Sequence, residues 1–505
     1  MAIVTAPDRP MFIDGGPAEA AGGGWIEVRS PATGALAGRV PAGTAADVDR
    51  AVAAAVRSFR AGAWSRALLA DRSAVLLRLA DLIETSADDL ARLEVAQTGS
   101  TYKLRRDSDL PFTIDNLRFF ATAVRHLEGK AAAEYSGSHT SMIRREPLGV
   151  VGQVSPWNYP LWMAIWKIGP ALAAGNSVVL KPASATPLTT IRLAELAHEA
   201  GVPAGVLNVV TGPGEVVGTR LAEHPDVALI SLTGDTETGR RIMTAAAGTL
   251  KRVHLELGGK APVVVFADAD LEAAARGATA GALINAGQDC TAATRVYVER
   301  RAYEPLVARL AHLFRAVRVG DPLAPDTDMG SLISDAQVER VDGFVRRAEA
   351  DGATVVAGGE RAVVPGLEAG AFYRPTLVTG AVQSSELVQR EVFGPVLAVL
   401  PFDTADEAIE AANDTAYGLA SSVWTTNVFT AMDVARRLDF GHVLVNDHLM
   451  VASEMPHGGF KQSGFGKDMS MYSFDEYTRV KHVMIELSGE AEKPWHYTIF
   501  GDKPE

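Results

Sequence analysis

Apolar residues recur along this chain in two rhythms. In residues 47–59, Val48, Val52, Val56 and Phe59 fall three or four apart, which predicts a helix with one buried face. The same spacing runs through Val75, Leu76, Leu79, Leu82, Ile83 and Leu90 and predicts one helical stretch over 70–97. From residue 150 the rhythm changes. Short apolar runs at 150–154, 177–180, 206–210 and 227–232 read as buried strands, and helical patterns at 187–200 and from residues 215 and 236 lie between or after them. Strands joined through helices imply right-handed crossovers and a parallel, doubly wound sheet. A second series follows, with strands expected at 262–266, 294–298, 396–401, 421–425 and 442–446. Residues 134–145 and 476–487 alternate polar and apolar positions and predict strands outside both cores, suited to pairing between subunits. The fold class is α/β.

Composition narrows the function without naming it. A chain of 505 residues is expected to form two to four domains. The net charge of −13 opposes a general nucleic-acid surface and suits attraction of a small cation, although solubility accounts for it equally well. The most apolar stretch, 159–180, contains Lys167 and Pro170 and reads as a buried helix and strand, so no membrane partner is expected. The first ten residues lack a basic stretch followed by an apolar run, and no secretory signal is expected. One cysteine cannot form an intrachain disulfide and points to a reducing cytoplasm. The histidines at 224, 254, 442, 448 and 457 show no metal-ligand spacing, so no catalytic metal is expected.

The candidate chemistry centres on Cys290, in the run NAGQDCT at 285–291. A lone intracellular cysteine is commonly a small buried hydrophobe, but flexible and polar neighbours place this one in a turn, where a thiol can serve as a nucleophile toward a carbonyl. Glu256 lies in VHLELGGK at 253–260. It reads either as the exposed face of a strand or as a base whose apolar flanks raise its pKa, with Gly258 and Gly259 allowing close backbone approach. The turns GPGEVVG at 212–218 and GDTETG at 234–239 each lead from a strand into a helix and suit a pyrophosphate, though the first has its third glycine one residue late for a dinucleotide fingerprint. GGFKQSGFG at 458–466 lacks the ending of a Walker loop.

PWNYP at 156–160, KP at 181–182, LELGGK at 255–260, GQDC at 287–290 and EVFGP at 391–395 stand in the order seen in the aldehyde dehydrogenase superfamily, which this chain resembles from about residue 10 to 488. The resemblance implies two Rossmann-type domains plus a small β oligomerisation domain. It places a dinucleotide domain at 1–125 and 147–257, a catalytic domain at 258–474, oligomerisation strands at 126–146 and 475–488, and a tail at 489–505. Dimers or tetramers are implied. So is NAD(P)-dependent oxidation of an aldehyde through a thioester on Cys290. Asn158 and the Cys290 N–H would hold the oxyanion, and Glu256 would activate the hydrolytic water. Lys181 would reach the adenosine ribose, Glu391 the nicotinamide ribose and Phe393 the nicotinamide ring. Trp157 would line the cofactor cleft, which Pro156, Gly214, Thr233, Gly234 and Leu257 complete.

Two positions depart from the family pattern. Ser184 stands where a carboxylate often binds the 2′-hydroxyl, so NADP is expected to be tolerated or preferred beside NAD. Asp235 stands where relatives often carry serine, and its charge is expected to weaken cofactor binding unless it turns away. HTSMIRR at 139–145, SEMPHGG at 453–459 and SGFGKDM at 463–469 are similar to γ-aminobutyraldehyde dehydrogenases. That similarity makes an aminoaldehyde such as 4-aminobutanal the expected substrate. Asp289 would pair with the ammonium, Asp109 would stand at the tunnel mouth, and Tyr159 and Trp166 would offer aromatic faces. Each of these also reads blandly, as loop support, solvated charge or core. An NADP-dependent succinate-semialdehyde dehydrogenase, similar in the 181–187 segment, and a catalytically idle dinucleotide-binding protein remain the alternatives.

Overall fold

The computed structural model describes residues 8–129 and 131–502. Residues 1–7 of the stretch read for a signal, residue 130 and residues 503–505 of the tail lie outside the described residues. The first sheet has eight strands in the order Gly16–Ala18, Met11–Ile13, Leu207–Val209, Ser177–Lys181, Val150–Val154, Val227–Thr233, Arg252–Glu256 and Gly464–Phe465. The central pairings are parallel, and antiparallel strands close both edges. The helix Pro160–Ala174 packs against this sheet almost wholly buried, Lys167 and Pro170 included. Its apolar run therefore fills a protein core, and among the described residues no helix is long and apolar enough to cross a membrane.

A second sheet of seven strands runs Thr354–Ala357, Thr376–Thr379, Val396–Phe402, Ala293–Glu299, Ala261–Val265, Ala420–Trp424 and His442–Val445. Its inner strands are buried on both faces, which is why they read as continuous apolar runs. Each fully buried Val or Leu contributes roughly 1.5–3 kcal/mol from water exclusion. The first two strands of this order were not expected from sequence; Thr354–Ala357 is an antiparallel edge of mixed exposure with no clear alternation. The third sheet, Thr478–Glu486, His139–Pro147 and Ala133–Ser136, stands apart from both cores.

Three expectations change in detail. The stretch 70–97 is two helices, Leu69–Thr85 and Ala87–Thr98, broken where Ser86 leaves the helical region and Asp88 and Asp89 start a new first turn. The strand expected from residue 476 begins at Thr478, because Ser473–Tyr477 forms a helical turn that buries Phe474 and Tyr477. The boundary after residue 257 is also crossed. Leu255 pairs with Phe465 and Glu256 with Gly464, and Leu257 N–H donates to the Ser463 carbonyl at 2.9 Å. The glycine run that lacks a Walker ending thus returns to the first sheet and becomes its last strand.

Candidate active site

A cleft of about 1450 Å³ lies between the two large sheets, and every site residue named from sequence lines it. Cys290 is delivered by an unusual backbone path. After the helix Leu271–Leu283, Asn285 (φ 48°), Ala286 (φ 56°) and Gly287 (φ 70°) are left-handed in succession. Such conformations cost non-glycine residues of order 1–3 kcal/mol each and persist only where the surroundings hold them. Here Asn285 Nδ2 donates to the carbonyls of Asn158 (2.9 Å) and Gln288 (3.2 Å), while its Oδ1 accepts from Arg105 Nη2 at 3.1 Å. Gly287 is required twice, since a Cβ there would also lie 2.3 Å from the Gly394 carbonyl oxygen. At Gly259 a Cβ would stand 2.1 Å from the Cys290 carbonyl oxygen, so the LELGG turn passes directly against the Cys290 peptide. Cys290 is partly open to the cleft. Its thiol pKa is pushed well up, first by removal from water and then by the carboxylates of Asp289, Glu256 and Glu391. It therefore rests as a thiol and needs a base.

Glu256 ends its strand buried, and burial raises its pKa while His457 opposes the rise. Its Oε2 lies 3.4 Å from His457 Nδ1, and its Oε1 has no hydrogen-bond partner among the described residues. Asn158 Nδ2 donates to the Gln288 carbonyl at 3.0 Å, two residues before the cysteine, and keeps a second N–H. The Asn158 carbonyl accepts from Arg105 Nη2 at 2.8 Å as well as from Asn285.

At the other end of the cleft Lys181 Nζ donates to the Pro182 carbonyl at 3.0 Å, and burial lowers its pKa to about 8. Ser184 Oγ donates to the Gly212 carbonyl at 2.9 Å. Asp235 lines the cleft with its carboxylate engaged. It caps the helix Thr236–Ala247, its carboxylate accepting from Thr238 N–H (3.0 Å) and Oγ1 (2.6 Å), and these bonds hold its pKa below the usual range against burial. The carboxylate thus caps a helix N-terminus, where a negative charge is favoured. Thr233 Oγ1 is buried at the cleft wall with no hydrogen-bond partner among the described residues. Glu391 Oε1 accepts from Gly259 N–H at 2.8 Å, and burial lifts its pKa to about 7. Trp157 and Phe393 meet edge to face at 5.1 Å.

Of the four residues expected to meet substrate, Tyr159 and Trp166 line the cleft as rings, while both carboxylates are engaged by protein partners. Asp109 is buried rather than at the mouth, 2.5 Å from Arg105 Nη1, and burial raises its pKa to about 6 despite that partner. Asp289 Oδ1 accepts from Thr291 N–H and Oγ1, and its Oδ2 from the Tyr159 hydroxyl at 2.7 Å, so it ties down the catalytic turn. Tyr159, Trp162 and Trp166 stack edge to face, with Phe112 against Trp162. Exposed carboxylates do rim this end, but they are Asp107 and Asp115, which sequence reasoning missed. It missed Arg105, His457, Lys167 and Asp468 too. Lys167 Nζ, bonded to Ser231 Oγ at 2.9 Å, lies 3.8 Å from the fully buried Asp468. A charged residue inside an apolar run was the available signal for Lys167; nothing local marked the others.

Residues 18–483 match the aldehyde dehydrogenase family. The chain is 44% identical over 492 residues to an aminoacetaldehyde dehydrogenase of Pseudomonas aeruginosa, covering 96% of this chain and 98% of that protein. It is 43% identical over 437 residues to a betaine aldehyde dehydrogenase of Bacillus subtilis, covering 86% and 89%. The crystal structure of a Staphylococcus aureus betaine aldehyde dehydrogenase in complex with NAD+ superposes with a TM-score of 0.94 at 37% identity, over 96% of each chain. The chain belongs to the aldehyde dehydrogenase family and is an oxidoreductase.

Proposed function

We propose that the protein oxidises a cationic aminoaldehyde, such as 4-aminobutanal, to its acid with NAD or NADP. One observation carries this reading: the Lys and Arg side chains of the cleft gather at one end. Its Lys and Arg side chains, Lys181, Arg240, Arg340 and Arg390, belong to the end near Ser184, Asp235 and Glu391, where an anionic dinucleotide suits them. The end near Cys290 and Tyr159 carries aromatic rings and the rim carboxylates Asp107 and Asp115. Ring faces and carboxylates attract an ammonium group, whereas succinate semialdehyde would want a free arginine there. Arg105 is not free, because the Asp109 carboxylate, the Asn158 carbonyl and Asn285 Oδ1 occupy it. The names of the aminoacetaldehyde and betaine aldehyde relatives support the same class.

The residues at the other end fit a nicotinamide dinucleotide. The cleft opens at the carboxyl ends of the parallel strands, and Lys181, Thr233 Oγ1 and Glu391 offer polar atoms to riboses and phosphates. When bound, the nicotinamide supplies the hydride acceptor. Cys290 Sγ would bond to the aldehyde carbon as Glu256 takes the thiol proton. Asn158 Nδ2 and the Cys290 N–H would donate to the oxyanion, each typically worth about 10²–10³ in rate. After oxidation to the thioester, Glu256 would deprotonate the hydrolytic water. The lone free thiol suits a reducing cytoplasm.

Reduced-dinucleotide absorbance tests the substrate with NAD and NADP in parallel. The panel is 4-aminobutanal, 3-aminopropanal, betaine aldehyde, succinate semialdehyde and butanal. The aminoaldehydes are expected to give the highest kcat/KM, and Asp107→Asn to raise KM for 4-aminobutanal roughly two- to fivefold, as exposed charge pairs do, while leaving butanal unchanged. Preference for succinate semialdehyde would overturn the substrate class. With Ser184 in place of a carboxylate, NADP is expected to support turnover; strict dependence on NAD would reject that part.

Oligomerisation through the third sheet belongs to the same reading. The edge strand Thr478–Glu486 exposes Val480, Met484 and Ile485, which suits strand addition by another copy. Sedimentation velocity is expected to show dimers or tetramers, with Val480→Asp plus Met484→Asp driving dissociation. A wild-type monomer at micromolar concentration would reject this part.

A further inference from the structure

We propose that His457 is a positioning residue that orients the Glu256 carboxylate for thioester hydrolysis, an inference that rests on Glu256 being the hydrolytic base. Nδ1 of His457 and Oε2 of Glu256 are 3.4 Å apart, both side chains are buried, and Nδ1 has no other hydrogen-bond partner among the described residues. A small ring rotation would make Nδ1–H a donor to the carboxylate.

The imidazole is held for this task. Its backbone is pinned twice to Asp468, N–H to carbonyl in each direction at 2.9 Å. Its ring packs on Trp166 at 4.9 Å and faces His442 at 6.4 Å. The next residue must be glycine, since a Cβ at Gly458 would stand 2.7 Å from Glu256 Oε1.

Other charged and titratable groups face the pair. Lys167 comes from the helix Pro160–Ala174, and Lys467 and Asp468 from the segment after the final strand of the first sheet. Cys290 comes from the catalytic turn. His442, whose pKa burial lowers to about 4, is neutral at working pH. Lys167 is turned to Ser231, and Lys467 Nζ donates to the Gly458 carbonyl at 2.7 Å, whereas His457 Nδ1 faces the carboxylate from 3.4 Å.

In the step it serves, water oxygen bonds to the thioester carbon and its proton passes to Glu256. Collapse then breaks the C–S bond, the sulfur takes a proton back, and the acid leaves. A donor to the carboxylate favours its charged, basic form, while burial favours the protonated form. Without the donor, Glu256 stays protonated to higher pH and the acid limb of kcat moves up.

His457→Phe keeps a ring against Trp166 and removes the donor. It is expected to lower kcat about tenfold with KM little changed and to move the acid limb to higher pH. A burst of about one reduced dinucleotide per site, followed by slow turnover, should appear. His457→Asn, which keeps an N–H near the Nδ1 position, is expected to restore the limb, and it carries the test alone if the Phe variant does not fold. An unmoved limb without a burst, or an Asn variant as impaired as the Phe variant, would overturn the inference. Glu256→Gln separates the two claims. If it loses turnover while His457→Phe runs as wild type, only the role of His457 fails. If Glu256→Gln sustains turnover, the reading of the base fails as well.

Discussion

Cys290→Ala is expected to abolish aldehyde oxidation, by at least ~10³-fold, while leaving the protein folded. The side chain makes no hydrogen bond that holds the turn. Asn285, Gln288 and Asp289 do that work through the carbonyls of Asn158 and Gln288, the Ile333 N–H, Thr291 and the Tyr159 hydroxyl. Removing one sulfur therefore deletes the nucleophile and little else. Stopped-flow absorbance should show no first-turnover burst, while the far-UV and near-UV spectra match wild type. A normal burst in this variant would reject covalent catalysis at this position.

The second large effect is structural and reaches the same turn from behind. Arg105→Leu is expected to cost about 3–5 kcal/mol of stability, the usual consequence of removing one member of a buried ionic cluster. Arg105 is fully buried, and its guanidinium touches Ser100, Asp109, Asn158 and Asn285, with Glu94 3.9 Å away. Without it, two buried carboxyl groups lose their cation, and the left-handed Asn285 loses a contact that holds it. The thermal midpoint should fall by several degrees. Turnover should fall at least ~100-fold even below that midpoint, because Asn158 and Cys290 lose their common brace. Wild-type activity with a lowered midpoint would show the arginine to matter for stability alone.

These two cases show what could be read in the sequence. Cys290, Glu256 and Asn158 stand in local runs whose glycines and polar residues already mark a turn, a close backbone approach and a strand end. The parallel sheets were equally plain, because strands buried on both faces write themselves as unbroken apolar runs. Arg105 carries no such mark. It sits some 180 positions from Asn285, and its role exists only once a helix is laid across the catalytic turn. Asp235 shows the same limit more finely. The sequence places a charge beside the cofactor cleft, but the direction of its carboxylate depends on the helix that starts at the next residue. Asp109 and Asp289 were read as free anions for the same reason, since hydrogen-bond partners such as Arg105 and Tyr159 are assigned only by the tertiary fold. The break at Ser86 escaped because apolar spacing continues through it.

The last strand of the first sheet also bears on how the chain is made. Gly464 and Phe465 close the edge beside Glu256 from some two hundred residues downstream. A nascent chain leaving the ribosome can fold most of the first domain early, but the strand that ends at Glu256 keeps a bare flank until that late segment emerges. During this interval the flank is a template for strays, and the enzyme is most vulnerable to misassembly where it will later do its chemistry. A chain cut short before residue 464 carries Cys290 and Glu256 but lacks the strand that pairs beside Glu256.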